Sequence, residues 1–151
     1  MKNVFDDKYF MGEALKEAQK AYEIGEVPVG AIIVVKNKII ARAHNLTQRL
    51  NDVTAHAEMQ AVTSASNYLN GKYLKDCSIY ITLEPCVMCA GALFWSKIDR
   101  IIYSACDLKR GYSQVANLLH PKTKVERGEF EKESSDLLKK FFKNTRQYKN
   151  S

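Results

Sequence analysis

Residues 78–89 read Ser78-Ile79-Tyr80-Ile81-Thr82-Leu83-Glu84-Pro85-Cys86-Val87-Met88-Cys89. Ser78 to Leu83 is a short run rich in β-branched and apolar residues, which predicts a strand. Pro85 suits the first turn of a helix, where a missing N–H breaks no hydrogen bond. That helix is apolar for six consecutive residues, Ala90 to Trp95. A helix apolar on all sides is buried, either in the core or against another subunit.

Working outward, Phe10, Met11, Ala14, Leu15, Ala18 and Tyr22 recur at helical spacing between Asp6 and Ile24, and Gly25 stands where a C-terminal cap belongs. Val29 to Val35 and Ile39 to Ala43 read as two strands, with Lys36-Asn37-Lys38 as the turn between them. A second helix starts at Asp52 or Thr54, both good caps, and runs towards Tyr68. Arg100 to Ala105 is a fourth strand and Lys124 to Phe130 a weaker fifth; a helix from about Glu131 to Gln147 follows, its stripe including Leu137, Leu138, Phe141 and Phe142. Strands alternating with helices imply an α/β layered domain with a sheet covered on both faces. No repeat or Pro/Gly-rich linker interrupts the 151 residues, so residues 1–151 read as one domain.

Met1 to Phe10 mixes Asp6, Asp7, Lys2 and Lys8 with apolar residues, which is neither a signal peptide nor an anchor. No apolar run approaches the roughly 20 residues that span a bilayer, so the expected location is the cytoplasm, with no membrane partner. The net charge of +6 fits a polyanionic partner, although solubility alone also explains it. Four cysteines, Cys77, Cys86, Cys89 and Cys106, include one C-x-x-C and no secretory context. Metal binding or redox chemistry therefore fits better than a disulfide framework.

Two segments carry the chemistry: His56-Ala57-Glu58 and Pro85-Cys86-Val87-Met88-Cys89, both at expected helix starts. Cys86 and Cys89 are three apart, share a helix face and can grip one ion. A helix start favours anions and so supplies thiolates. Neutral His56 adds a third ligand, and one nitrogen with two sulfurs suits zinc. Three protein ligands leave one tetrahedral position for water, as in catalytic sites, and zinc lowers the pKa of such a water to about 7. Glu58 is placed to shuttle a proton from water to a ring nitrogen and then to leaving ammonia. Without the His56 segment, the C-x-x-C reads equally as a redox pair. A closed structural site needs a fourth ligand from His44, Cys77, Cys106 or His120, none of which has finger-like spacing.

On these motifs the sequence resembles the bacterial tRNA-specific adenosine deaminases of the zinc deaminase superfamily, whose H-x-E…P-C-x-x-C signature it carries. Glu26-Val27-Pro28-Val29-Gly30, Thr54-Ala55-His56-Ala57-Glu58, Thr82 to Ala92 and Phe141-Phe142-Lys143-Asn144 extend the resemblance over nearly the whole chain. It implies a cytidine-deaminase-like three-layer α/β/α domain with a mixed sheet of about five strands. It also implies one Zn2+ per subunit on His56, Cys86 and Cys89, Glu58 as proton shuttle, and a homodimer. The implied reaction converts adenosine to inosine at the wobble position of a tRNA anticodon loop.

By the same resemblance, Asn45 hydrogen-bonds the target base, Val29 lines its pocket and Asp107 lies near the flanking nucleotides. Read alone, Asn45 also fits a turn residue, Val29 core and Asp107 the start of a loop. Several relatives carry Arg where Cys106 stands, and Lys109 and Arg110 lie just beyond. The alternative is a deaminase of a free base or nucleoside such as guanine or cytosine. Against it, Lys139, Lys140, Lys143, Arg146 and Lys149 crowd the last helix with no acid after Asp136, which suits a phosphate surface or a solvated face.

Overall fold

The computed structural model describes residues 5–149, with side chains through residue 146; residues 1–4 and the Lys149 side chain, both used in the sequence reading, lie outside the described residues. The elements are α1 (Asp7–Glu23), β1 (Gly30–Val35), β2 (Lys38–His44), α2 (Ala57–Leu69), β3 (Cys77–Leu83), α3 (Val87–Ser96), β4 (Arg100–Ala105), β5 (Lys124–Arg127) and α4 (Glu131–Lys149). The strands form one mixed sheet ordered β2-β1-β3-β4-β5. β1 is antiparallel to β2 and β3, whereas β3–β4 and β4–β5 are parallel. Parallel neighbours need a crossover, and α3 supplies the one between β3 and β4.

Alternation along the strands builds two cores. Ala31, Ile33, Ile79, Ile81 and Ile101 face Ala57, Ala61 and Ala65 of α2 and Ala90 and Leu93 of α3. Their neighbours Ile32, Val34, Tyr80 and Ile102 face Phe10, Met11 and Ala14 of α1, beside which α4 lies. The three-layer expectation is met. Gly30 sets how closely α1 approaches the sheet: a Cβ there would stand 2.1 Å from the Ala14 carbonyl oxygen. The β1–β2 turn is two residues, with positive φ at both Lys36 (48°) and Asn37 (62°), which matches the twist of the flanking strands. Lys38 already belongs to β2, paired with Val35.

Gly25 closes α1 as expected, its N–H bonding the Tyr22 carbonyl while Glu26 N–H reaches Ala21. Two helix starts fall later than the sequence suggests. Asp52 bonds the backbone N–H (2.8 Å) and hydroxyl (2.7 Å) of Thr54 instead of capping α2, a local turn that competes with helix initiation. The helix begins at Ala57, with His56 in the N-cap position. Pro85 precedes the α3 cap, Cys86, rather than entering the first turn, and its carbonyl accepts from Tyr112 N–H. β5 ends at Arg127, where Gly128 N–H turns to the Tyr103 carbonyl. The run Ala90 to Trp95 is not buried all round: Ala90 and Leu93 are, but Trp95 is 74% exposed. No helix among the described residues is long and apolar enough to cross a membrane.

Candidate active site

The N-termini of α2 and α3 meet at one end of the sheet. His56 and Cys86 hold the N-cap positions, yet neither side chain makes a capping hydrogen bond. Both turn towards each other. His56 Nδ1 lies 3.6 Å from Cys86 Sγ and 3.5 Å from Cys89 Sγ. A tetrahedral ion with bonds of about 2.3 Å to sulfur and about 2.0–2.1 Å to nitrogen requires an edge of about 3.6 Å. The three ligand atoms lie within 4.8 Å of one another, and among the described residues they form the group that could hold a metal ion. The donor set therefore fits zinc.

The charge balance agrees. A hydrogen bond from Cys89 holds the Cys86 thiol down at about 4, and the same bond together with burial pushes Cys89 well up. His56 is raised chiefly by its bond to Cys86. A divalent cation can replace the protons these groups share.

The four candidates for a closing ligand are engaged elsewhere or remote. His44 Nδ1 bonds Glu17 at 2.9 Å, Cys106 Sγ accepts from Arg127 at 2.9 Å, and His120 Nδ1 accepts from Lys122 N–H. Cys77 is buried at the start of β3. The trio stays open, and the metal reading overtakes the redox pair because His56 faces both sulfurs.

Glu58, in the first turn of α2, is 4% exposed. Burial pushes its carboxyl up to about 7. Asn45, just past β2, is 8% exposed, and its Oδ1 accepts from Ala57 N–H at 2.9 Å, so it caps the helix start that His56 neglects. Val29 accepts from Asn45 N–H through its carbonyl while its side chain sits in the core cluster beside Ala57 and Ala31. Asp107 is half-buried, its Oδ1 accepting from the N–H groups of Lys109 (3.1 Å) and Arg110 (2.9 Å). It holds a loop that is bridged to Cys86 through Gly111.

Three polar side chains that sequence reasoning passed over hold these parts together. Glu26 is fully buried and accepts from Gln48 N–H with both oxygens. Gln60 Nε2 donates to the carbonyls of His44 (2.7 Å) and Ala55 (3.2 Å), closing the base of the loop between Asn45 and His56. Glu84 is 2% exposed at the end of β3. The available signal was an acid standing inside or against an apolar stretch, where burial demands donors.

Residues 5–105 match the family described as the cytidine and deoxycytidylate deaminase zinc-binding region. A tRNA-specific adenosine deaminase of Aquifex aeolicus is 49% identical over 144 residues, covering 92% of this chain and 95% of its own. A solved structure of a tRNA:A34 deaminase, which edits A to I at the wobble position of transfer RNA, is 40% identical with a TM-score of 0.80, covering 86% of this chain and 99% of that one. A guanine deaminase from Bacillus subtilis is 36% identical with a TM-score of 0.64, covering 67% and 65%. With its open one-nitrogen, two-sulfur trio and a buried glutamate beside it, the chain belongs to the zinc-binding cytidine and deoxycytidylate deaminase family.

Proposed function

We propose that this protein is a single-domain cytoplasmic enzyme that deaminates adenosine to inosine at the wobble position of a tRNA anticodon loop. The observation that carries this is the meeting of His56, Cys86 and Cys89 beside buried Glu58 and Asn45, in a chain 49% identical to a tRNA-specific adenosine deaminase over nearly its full length. The guanine deaminase of Bacillus subtilis is matched over about two thirds of either chain at 36% identity, against 49% for the tRNA-specific adenosine deaminase. An anticodon loop offers a base that can be splayed out without opening a duplex. Lys139, Lys140, Lys143 and Arg146 line the exposed side of α4, and Lys140 lies over the Tyr22 ring near the end of α1. That surface suits the phosphates of an RNA.

His56, Cys86 and Cys89 would hold the zinc. When bound there, zinc supplies a water acidic enough to act as a nucleophile near neutral pH. Glu58 moves the protons. Burial raises its carboxyl and a neighbouring cation lowers it, so the group can both take and give a proton at working pH. It carries one proton to ring nitrogen N1 as oxygen adds at C6, and another to the exocyclic nitrogen as the C6–N bond breaks and ammonia leaves. Asn45 has its oxygen committed to Ala57, which leaves Nδ2 to donate to the base. Val29 borders the base, and Asp107 shapes the loop beside the neighbouring nucleotides.

The protein works as a homodimer through α3. That helix carries no charged residue, and Val87 (46%) and Trp95 (74%) are exposed on it while Met88, Gly91 and Ala92 are half-buried. Burying such a face in a second copy removes it from water.

Four outcomes test these assignments. Zinc-loaded protein forms inosine in an anticodon stem-loop RNA and leaves free guanine, cytidine and adenosine untouched; ammonia from guanine alone reverses the substrate. Glu58→Gln keeps one zinc by atomic absorption and loses about 100-fold or more in kcat, and full turnover removes Glu58 from the chemistry. Asn45→Asp keeps the oxygen that caps α2, so its Tm stays near the parent's. Without the Nδ2 donor its kcat/KM falls about tenfold or more, and a normal rate confines Asn45 to the cap. In sedimentation equilibrium the protein is a dimer and Trp95→Glu a monomer, whereas a monomeric parent ends the dimer assignment.

A further inference from the structure

Glu84 stands between the last residue of β3 and the Pro85–Cys86 turn that carries a metal ligand. Its carboxylate is buried, and every partner it has lies in the loop after β4. Oε1 accepts from Asp107 N–H at 3.2 Å; Oε2 accepts from Ser113 N–H at 3.0 Å and from the Ser113 hydroxyl at 2.6 Å. Among the described residues no lysine or arginine pairs with it. A buried anion needs donors, and bonds to an ionised acceptor are the stronger kind.

The loop is shaped around that group. At Gly111 a Cβ would stand 2.3 Å from Glu84 Oε2, so the carboxylate fills the place a side chain would take. Gly111 N–H donates to the Asp107 carbonyl, Tyr112 N–H donates to the Pro85 carbonyl, and Gly111 bridges to Cys86. Held at both ends, the loop turns Leu108, Lys109 and Arg110 outward, all exposed, beside the His56–Cys86–Cys89 centre.

We propose that Glu84 is a positioning residue for the RNA substrate. Its carboxylate fixes where the loop 106–113 stands against the metal-ligand turn, so that Leu108, Lys109 and Arg110 meet the nucleotides beside the reacting adenosine. This rests on the tRNA reading above. Loosening the Glu84 bonds moves the loop and weakens RNA capture, while the trio and Glu58, held by α2 and α3, keep their chemistry.

Ser113 is exposed, so Ser113→Ala removes one donor to Glu84 without opening the core. Steady-state kinetics on anticodon stem-loop RNA, zinc content and Tm are measured for the parent, Ser113→Ala, Ser113→Thr and Glu84→Gln. Ser113→Ala raises KM about fivefold and Glu84→Gln about tenfold or more. In both, kcat stays within about twofold and zinc at one equivalent, while Ser113→Thr, which keeps the hydroxyl, returns KM to the parent's. Should Glu84→Gln fail to fold, the Ser113 pair decides. An unchanged KM in Ser113→Ala, with kcat lowered in step with zinc content or folded fraction, overturns the proposal and leaves Glu84 a structural acid. A parent enzyme inert on RNA but active on a free base instead overturns the tRNA reading on which the proposal stands.

Discussion

The approach of two helix N-termini, which sets His56 Nδ1 3.5–3.6 Å from two cysteine sulfurs, is the contact on which the rest of the site depends. Each helix gives up a side-chain cap to make it, at about 1 kcal/mol apiece. Asn45 offsets part of this at α2 by accepting from Ala57 N–H. A structural-strength zinc site returns on the order of 10 kcal/mol, far more than the lost caps. The same helix starts favour thiolate over thiol, so the backbone prepares the ligands that the metal requires. The constraint reaches one residue further: Asn45, which repairs the α2 start, commits only its Oδ1 to that bond.

Around that centre, two of the buried acids, Glu26 and Glu84, organise loops that apolar packing does not hold. Glu26 gathers the loop at Gln48, Glu58 stands beside the metal ligands, and Glu84 gathers Asp107 and Ser113. A loop that exposes its side chains needs another anchor for its backbone. Buried carboxylates supply one because they accept several N–H groups at once. In a chain of net charge +6, these negative groups sit inside while the lysines and arginines of α4 and of residues 109–110 stay outside, where an anionic partner can reach them.

Much of this was legible in the residues themselves. The strand before Pro85, the spacing of Cys86 and Cys89 and the His56-Ala57-Glu58 segment require no tertiary information to suggest zinc, because coordination chemistry constrains residue type and local spacing tightly. The layered α/β arrangement followed from strands alternating with helices. Less legible were the starts of α2 and α3, since Asp52 has a choice between capping a helix and closing a turn with Thr54, and both are local bonds of similar strength. Trp95 is exposed in the single chain because an apolar run records composition and not which side of a helix faces the sheet.

What the sequence by itself determined, then, is a His-Cys-Cys set that suits zinc, a carboxylate two residues past His56 and the alternation that makes a covered sheet; these depend on residue chemistry and periodicity along short stretches. Only the tertiary structure decided that His56 faces both sulfurs, that Asn45 caps α2 with one atom and frees another, and that Glu84 binds a loop more than twenty residues away. These are contacts between segments distant in the chain. Their geometry is set by how α2, α3 and the loop after β4 pack on the ends of the sheet, a quantity that no local pattern of residues contains.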